Sequence, residues 1–145
     1  PGLENAEFLR YGVMHRNTYL NSPGFLTDTY AMRSNEKTFF AGQITGVEGY
    51  VESTSSGYVA GINAAMLAMQ LSPIVFPPET EIGALARYVS EGGISKSFQP
   101  MNANFGILPE LPEKIRDKAL KKQAYSERAV RDMKEFKEKL ENDRI

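Results

Sequence analysis

The residues best suited to chemistry gather between Thr38 and Ala65, in the run TFFAGQITGVEGYVESTSSGYVAGINAA. There Gly42, Gly46 and Gly49 separate an apolar stretch from a helix-like one. Glycines in such a loop mean either backbone in close approach to something or backbone at positive φ. A strand end, a glycine loop and a following helix also make a unit whose helix N-terminus can receive an anion or the polar edge of a ring. Thr45 and Glu48 match a capping box, with Thr45 as the N-cap. The spacing is not GxGxxG, so the standard dinucleotide fingerprint is absent. From the residues alone, a ligand site and a close-packed structural turn both stay open.

Other chemistry-bearing residues are scattered. Glu48 and Glu52, four apart, could pair as acid and base, although capping by Glu48 and solvation or ion pairing of Glu52 accounts for them equally. His15, within MHRNTY, is the one histidine, and a loop histidine commonly serves as a hydrogen-bonded structural residue. Asn102 and Asn104 can hold a polar ligand or cap backbone groups. Lys114, Arg116, Lys118, Lys121 and Lys122 could touch phosphates in a salt-sensitive, sequence-blind way; interleaved acids equally suit an ordinary solvated helix face. No residue is assigned a catalytic role and none a metal.

The elements that must position these groups follow from periodicity and punctuation. EFLRYGVMH, Glu7 to His15, predicts a short strand. A turn follows at Ser22 to Gly24. A hairpin is predicted with strands Tyr30 to Arg33 and Thr38 to Ala41 around a turn at Ser34 to Lys37. A helix from about Gly49 to Gln70 would show one face through Val51, Tyr58, Ile62, Ala65 and Met69, with Gly57 and Gly61 leaving a groove for another backbone. Pro77 and Pro78 open a helix Glu79 to Val89, which Gly92 and Gly93 close. ISKSFQPMNANFGILPELP reads as irregular but packed. A shorter helical run from Glu113, carrying Ile115 and Ala119, precedes a charged helix with Ala129, Met133, Phe136 and Leu140 on one face.

Composition narrows the classes. A chain of 145 residues suits one domain or a piece of a larger protein. Seventeen basic against eighteen acidic residues advertise no nucleic-acid partner overall, yet the stretch from Pro112 to Ile145 holds eleven basic and eight acidic residues. Cysteine is absent, which excludes thiol chemistry within the chain and fits a cytoplasmic setting. No stretch is long and apolar enough to span a bilayer. The start at PGLENAEF, without methionine, reads as a fragment.

The glycine run closely resembles the last flavin-contacting segment of the tRNA-modifying flavoproteins related to glucose-inhibited division protein A. PGLENAEFLRYGVMHRNTYLNSP, VFPPETEIGALARYV and FQPMNANFGILPELP are similar to the folate- and FAD-dependent tRNA (uracil-5-)-methyltransferases of that group. Four motifs agree in order, across nearly the whole chain. The resemblance implies an α/β fold: residues 1–72 would be the C-terminal part of an FAD/NAD(P)-binding Rossmann-like domain, and residues 73–145 a mostly helical extension packed on it. It implies methylation of C5 of a T-loop uridine, with 5,10-methylenetetrahydrofolate as carbon donor, FAD as carrier and NAD(P)H as reductant.

The GxGxxG segment and the functional cysteines of the family lie outside this sequence. The chain is therefore expected to need the missing N-terminal part and to be inactive alone; the alternative is a non-catalytic flavin- or RNA-binding module. Its oligomeric state is open. The resemblance assigns Gly42, Gln43, Gly46, Val47, Glu48, Gly49 and Tyr50 to FAD. Relatives often carry Asp in place of Gln43, and an amide can still hydrogen-bond a hydroxyl. It assigns His15, Arg16, Asn17, Asn102 and Asn104 to the neighbourhood of folate or the target base. On that reading Gly49→Val should release FAD far more than it disturbs folding.

Overall fold

The computed structural model describes residues 2, 4–7, 9, 17–92 and 98–142. The elements are β1 (Ala31–Met32), β2 (Asn35–Phe39), a 3-10 turn (Gly42–Thr45), and helices α1 (Tyr50–Ala68), α2 (Glu81–Glu91) and α3 (Lys118–Asn142). The class is α/β, with a small two-stranded sheet and three helices. β1 and β2 are antiparallel, pairing Ala31 with Phe39 and Met32 with Asn35 across an irregularity. The hairpin exists, but its turn is Arg33–Ser34 and β2 ends at Phe39, earlier than the expected Ser34–Lys37 turn and Ala41 end. Tyr30, expected in the strand, is left-handed at φ 62°. The expected strand Glu7 to His15 lies largely outside the described residues.

One core spans the chain. Leu26, Tyr30, Val47, Val59 and Ala60 pack with Leu85, Ala86 and Val89 of α2, and Phe25, Phe39, Phe40, Phe76, Ile82 and Ile107 close around them. Burial pushes the Tyr30 phenol well above its ordinary pKa. A smaller cluster joins Ala84, on the other side of α2, to Leu108 and Tyr125. α2 begins at Thr80, whose hydroxyl accepts the Gly83 N–H at 3.2 Å and donates to the Pro77 carbonyl at 2.7 Å. The helix thus starts two residues later than predicted, because Thr80 is a better cap than the prolines before it.

α1 departs from its predicted orientation. Its buried residues are Ser56, Val59, Ala60, Asn63 and Met66, a spacing of three and four that marks the inner face. The predicted face is turned outward: Val51 is 80% exposed, Tyr58 57% and Met69 59%. Among the described residues nothing lies within 4 Å of a Cβ built at Gly57 or Gly61, so none of the described backbone fills the groove they leave. Polar Ser56 and Asn63 face inward because each binds backbone that no helix or sheet satisfies. Asn63 accepts the Ile74 N–H at 2.6 Å and donates to the Ile74 carbonyl at 2.9 Å, tying the chain after α1 back onto the helix.

The tail forms one long helix rather than two. Asp117 caps it, its Oδ1 accepting from Ala119 and Leu120 N–H at 2.8 and 2.9 Å, so the run from Glu113 is not helical and Ala119 belongs to α3. Ala129, Met133, Phe136 and Leu140 are half-buried on one face, as their spacing predicts. No helix is long and apolar enough to cross a membrane among the described residues.

Asn63→Ala should lower stability by about 3 kcal/mol, since it leaves both Ile74 backbone groups buried without partners. Urea denaturation measures this, and a loss below about 1 kcal/mol would contradict the clamp.

Candidate functional site

The glycine loop is built from both of its flanks. After β2, Gly42 turns at φ 76° into the 3-10 turn. The Gly42 N–H donates to the Ser56 hydroxyl at 2.8 Å, which in turn donates to the Ser53 carbonyl. α1 thereby holds the start of the loop that precedes it. Thr45, fully buried, donates its hydroxyl to the Gly42 carbonyl at 2.8 Å. It closes the 3-10 turn and does not cap α1. The expected capping box of Thr45 and Glu48 is therefore absent: Gly49 is the N-cap, and no side chain caps the helix.

A second segment covers the loop. The Met101 N–H donates to the Gly46 carbonyl at 3.1 Å and the Glu48 N–H to the Met101 carbonyl at 3.0 Å, the pattern of a parallel bridge between Val47 and Met101. Asn102 donates its side-chain amide to the Glu48 carbonyl at 2.7 Å. Glu52 accepts the Ala103 N–H at 3.1 Å, where solvation or an ion pair was expected. Asn104 donates to the Asn102 carbonyl and accepts the Gly106 N–H, each within 2.9 Å. The two asparagines thus shape the segment that lies on the loop.

The glycines can now be told apart. A Cβ on Gly46, at φ 85°, would strike the Phe98 ring, and one on Gly49, at φ 103°, would strike the Glu52 carboxylate and approach Asn102. Both positions need glycine for the chain's own packing. Gly42 is different, because among the described residues a Cβ there would meet nothing within 4 Å. The surface left open runs from Gly42 past exposed Gln43 and Ile44 to exposed Glu48, Tyr50 and Val51. Val47 is fully buried in the core, so only its backbone could face a ligand. The N–H groups of Tyr50 and Val51 begin α1 without a side-chain cap, and Glu52 in the first turn is engaged with Ala103. Glycine backbone beside uncapped helix N–H groups can receive an anion or the polar edge of a ring.

The loop and the Asn102–Asn104 segment are therefore brought together. Asn17 is exposed; His15 and Arg16 lie outside the described residues. Sequence reasoning missed Ser56 and Phe98. A serine at the inner face of a helix was the available signal for the first. None exists for the second, whose meeting with Gly46 spans more than a third of the chain. Among the described residues, no group of three or more His, Cys, Asp or Glu could hold a metal ion.

Residues 1–72 match the family model for glucose inhibited division protein A. The chain is 58% identical over 138 residues to the methylenetetrahydrofolate–tRNA-(uracil-5-)-methyltransferase TrmFO of Lactiplantibacillus plantarum, covering 95% of this chain and 31% of that protein. It is 57% identical over 140 residues to the protein of the same name in Listeria innocua, covering 97% and 32%. With that of Enterococcus faecalis it shares 59% over 130 residues, covering 90% and 30%. Over nearly its whole length the chain is related to these methyltransferases, as its motifs imply, and it spans about a third of their length.

The self-packing around Gly49 changes what a substitution there reports. Gly49→Val should cost more than about 3 kcal/mol with or without ligand, through strained φ and collision together. Gly42→Ala should cost only the strain, about 1–2 kcal/mol. Thermal melts of the two variants check this, and equal losses would contradict the distinction.

Proposed function

We propose that this chain is part of a tRNA-modifying flavoenzyme that methylates C5 of a T-loop uridine, and that it completes the FAD site of the longer polypeptide. One observation carries the reading: identity of 58% over 95% of the chain to a protein named for methylenetetrahydrofolate, tRNA and uracil-5 methyl transfer. Residues 1–72 would then close a Rossmann-like FAD domain whose other strands lie elsewhere in the longer protein.

FAD would supply carbon and electron transfer from 5,10-methylenetetrahydrofolate, with NAD(P)H as reductant. The chain's own residues bind and orient. Gly42 lets backbone approach the cofactor without a side chain between them. Gln43, exposed at the 3-10 turn, offers an amide to a ribityl hydroxyl. The N–H groups of Tyr50 and Val51, which no side chain caps, would favour negative charge on a ring edge held at the start of α1. Glu52 holds the Ala103 backbone with one carboxylate oxygen, and its other oxygen lies against Gly49 at the start of the helix. Asn102 and Asn104 fix the covering segment, and His15, Arg16 and Asn17 would be further candidates to meet folate or the target base.

In the longer polypeptide, Gly42→Val should reduce flavin retained through gel filtration at least tenfold while uridine methylation falls in step. Flavin absorbance at equal protein, together with methyl incorporation into tRNA from labelled methylenetetrahydrofolate, reads both. A Gly42→Val enzyme that keeps its yellow colour would remove this loop from the cofactor site. A wild-type enzyme that binds no flavin and methylates no uridine would remove the function.

A further inference from the structure

The basic residues of the tail are not spread evenly in space. Residues 114–122 hold five cations and one acid, Asp117, whereas residues 129–142 hold four of each. The acid is occupied in capping α3. Lys114, Arg116, Lys118, Lys121 and Lys122 are all exposed, and α3 has no acidic residue in its first turn. Cations at this end oppose the helix macrodipole, so helix stability does not account for them.

An aromatic platform adjoins the cluster. Phe105, 40% exposed, stacks on buried Tyr125 with centroids 5.5 Å apart and planes at 22°. Lys121 stands 5.9 Å from the Tyr125 ring centre and the Arg128 guanidinium 5.2 Å. Arg128 is itself fixed, donating to the Pro109 and Glu110 carbonyls at 2.8 and 3.0 Å. Phe105, Tyr125, Lys114 and Lys121 share a cleft of about 550 Å³ with Glu110 and Glu113. Those carboxylates can accept hydrogen bonds from the N–H groups of a base but repel phosphate, so the cleft suits a base and the cationic rim a backbone.

Resting on the function proposed above, we propose that this surface docks the RNA: phosphates of a looped strand lie along Lys114, Lys118, Lys121 and Lys122, and one unpaired base stacks in the cleft against Phe105. Exposed cations that track a backbone beside an aromatic face are what unpaired RNA requires. The cleft is separate from the glycine loop and nothing in the flavin reading uses it.

The test measures affinity of the longer polypeptide for a T-arm hairpin and for a loopless RNA duplex, across salt, with flavin content as the folding control. Lys114→Gln, Lys118→Gln and Lys122→Gln combined should weaken hairpin binding about tenfold or more near 0.15 M salt. The slope of log affinity against log salt should become shallower by about 2, roughly 0.7 for each lost contact. Phe105→Leu, which keeps apolar cover on Tyr125, should weaken the hairpin about fivefold and leave the duplex unchanged. Unchanged hairpin affinity and slope in the lysine variant would overturn the surface, as would lost binding to phosphatidylserine vesicles with RNA binding intact. Equal losses on hairpin and duplex for Phe105→Leu would overturn the base platform. A wild-type enzyme that methylates nothing, while the variants still lose the hairpin, would fail the function and leave the surface standing.

Discussion

Two backbone hydrogen bonds, from Met101 to Gly46 and from Glu48 to Met101, are the constraint on which the rest of the site depends. They require a residue at Gly46 with positive φ and no side chain under Phe98, and only glycine meets both demands without strain. Once Met101 is seated, Asn102 reaches the Glu48 carbonyl and Ala103 reaches Glu52. Glu52 spends one oxygen on Ala103 and lays the other against Gly49, beside the start of α1. A packing demand at one glycine thereby sets the surroundings of the helix N-terminus a few residues later.

The remainder of the fold is assembled with little sheet to share hydrogen bonds. Single polar side chains do that work instead. Asn63 holds both backbone groups of Ile74, Arg128 holds two consecutive carbonyls before α3, and Ser22 donates to the Thr45 carbonyl at 2.9 Å. Each is buried, where a satisfied polar group fixes one geometry and an unsatisfied one, such as Arg128 Nε, is costly. α2 contributes Leu85, Ala86 and Val89 to one apolar cluster and Ala84 to the other, and so joins the two.

Local signals carried much of this into the sequence. The change of pattern at Gly42 announced the loop, the spacing of Ala129, Met133, Phe136 and Leu140 announced the half-buried face of α3, and Asn-Ser-Pro-Gly announced the turn after Ser22. The errors share one cause. Thr45 and Glu48 have the right types for a capping box, but the Met101 carbonyl, 53 positions away, claims the Glu48 N–H. Val51, Tyr58 and Met69 have the right period for a core face, but Ser56 and Asn63 turn inward to satisfy backbone. Periodicity counts apolar residues and is blind to a buried hydrogen-bonding need. The site was legible as a loop and as a family motif; the separate duties of Gly42, Gly46 and Gly49 depend on Phe98 and Glu52, which no local pattern links to them.

That long reach has a bearing on the order in which the molecule forms. The Glu48–Asn102 contact closes a loop of 54 residues, and such closure must precede any reward from the contacts it enables. β2, α1 and the Gly42–Thr45 turn can form from neighbours in sequence, whereas the stretch from Gly46 to Glu48 lacks its backbone partners until Met101 arrives. On a ribosome adding about 5–20 residues per second, that interval is roughly 3–10 s. Throughout it the nascent chain would present α1 with its N-terminus already formed and its covering strand not yet synthesised, so the last part of the site to mature is the part that was decoded first.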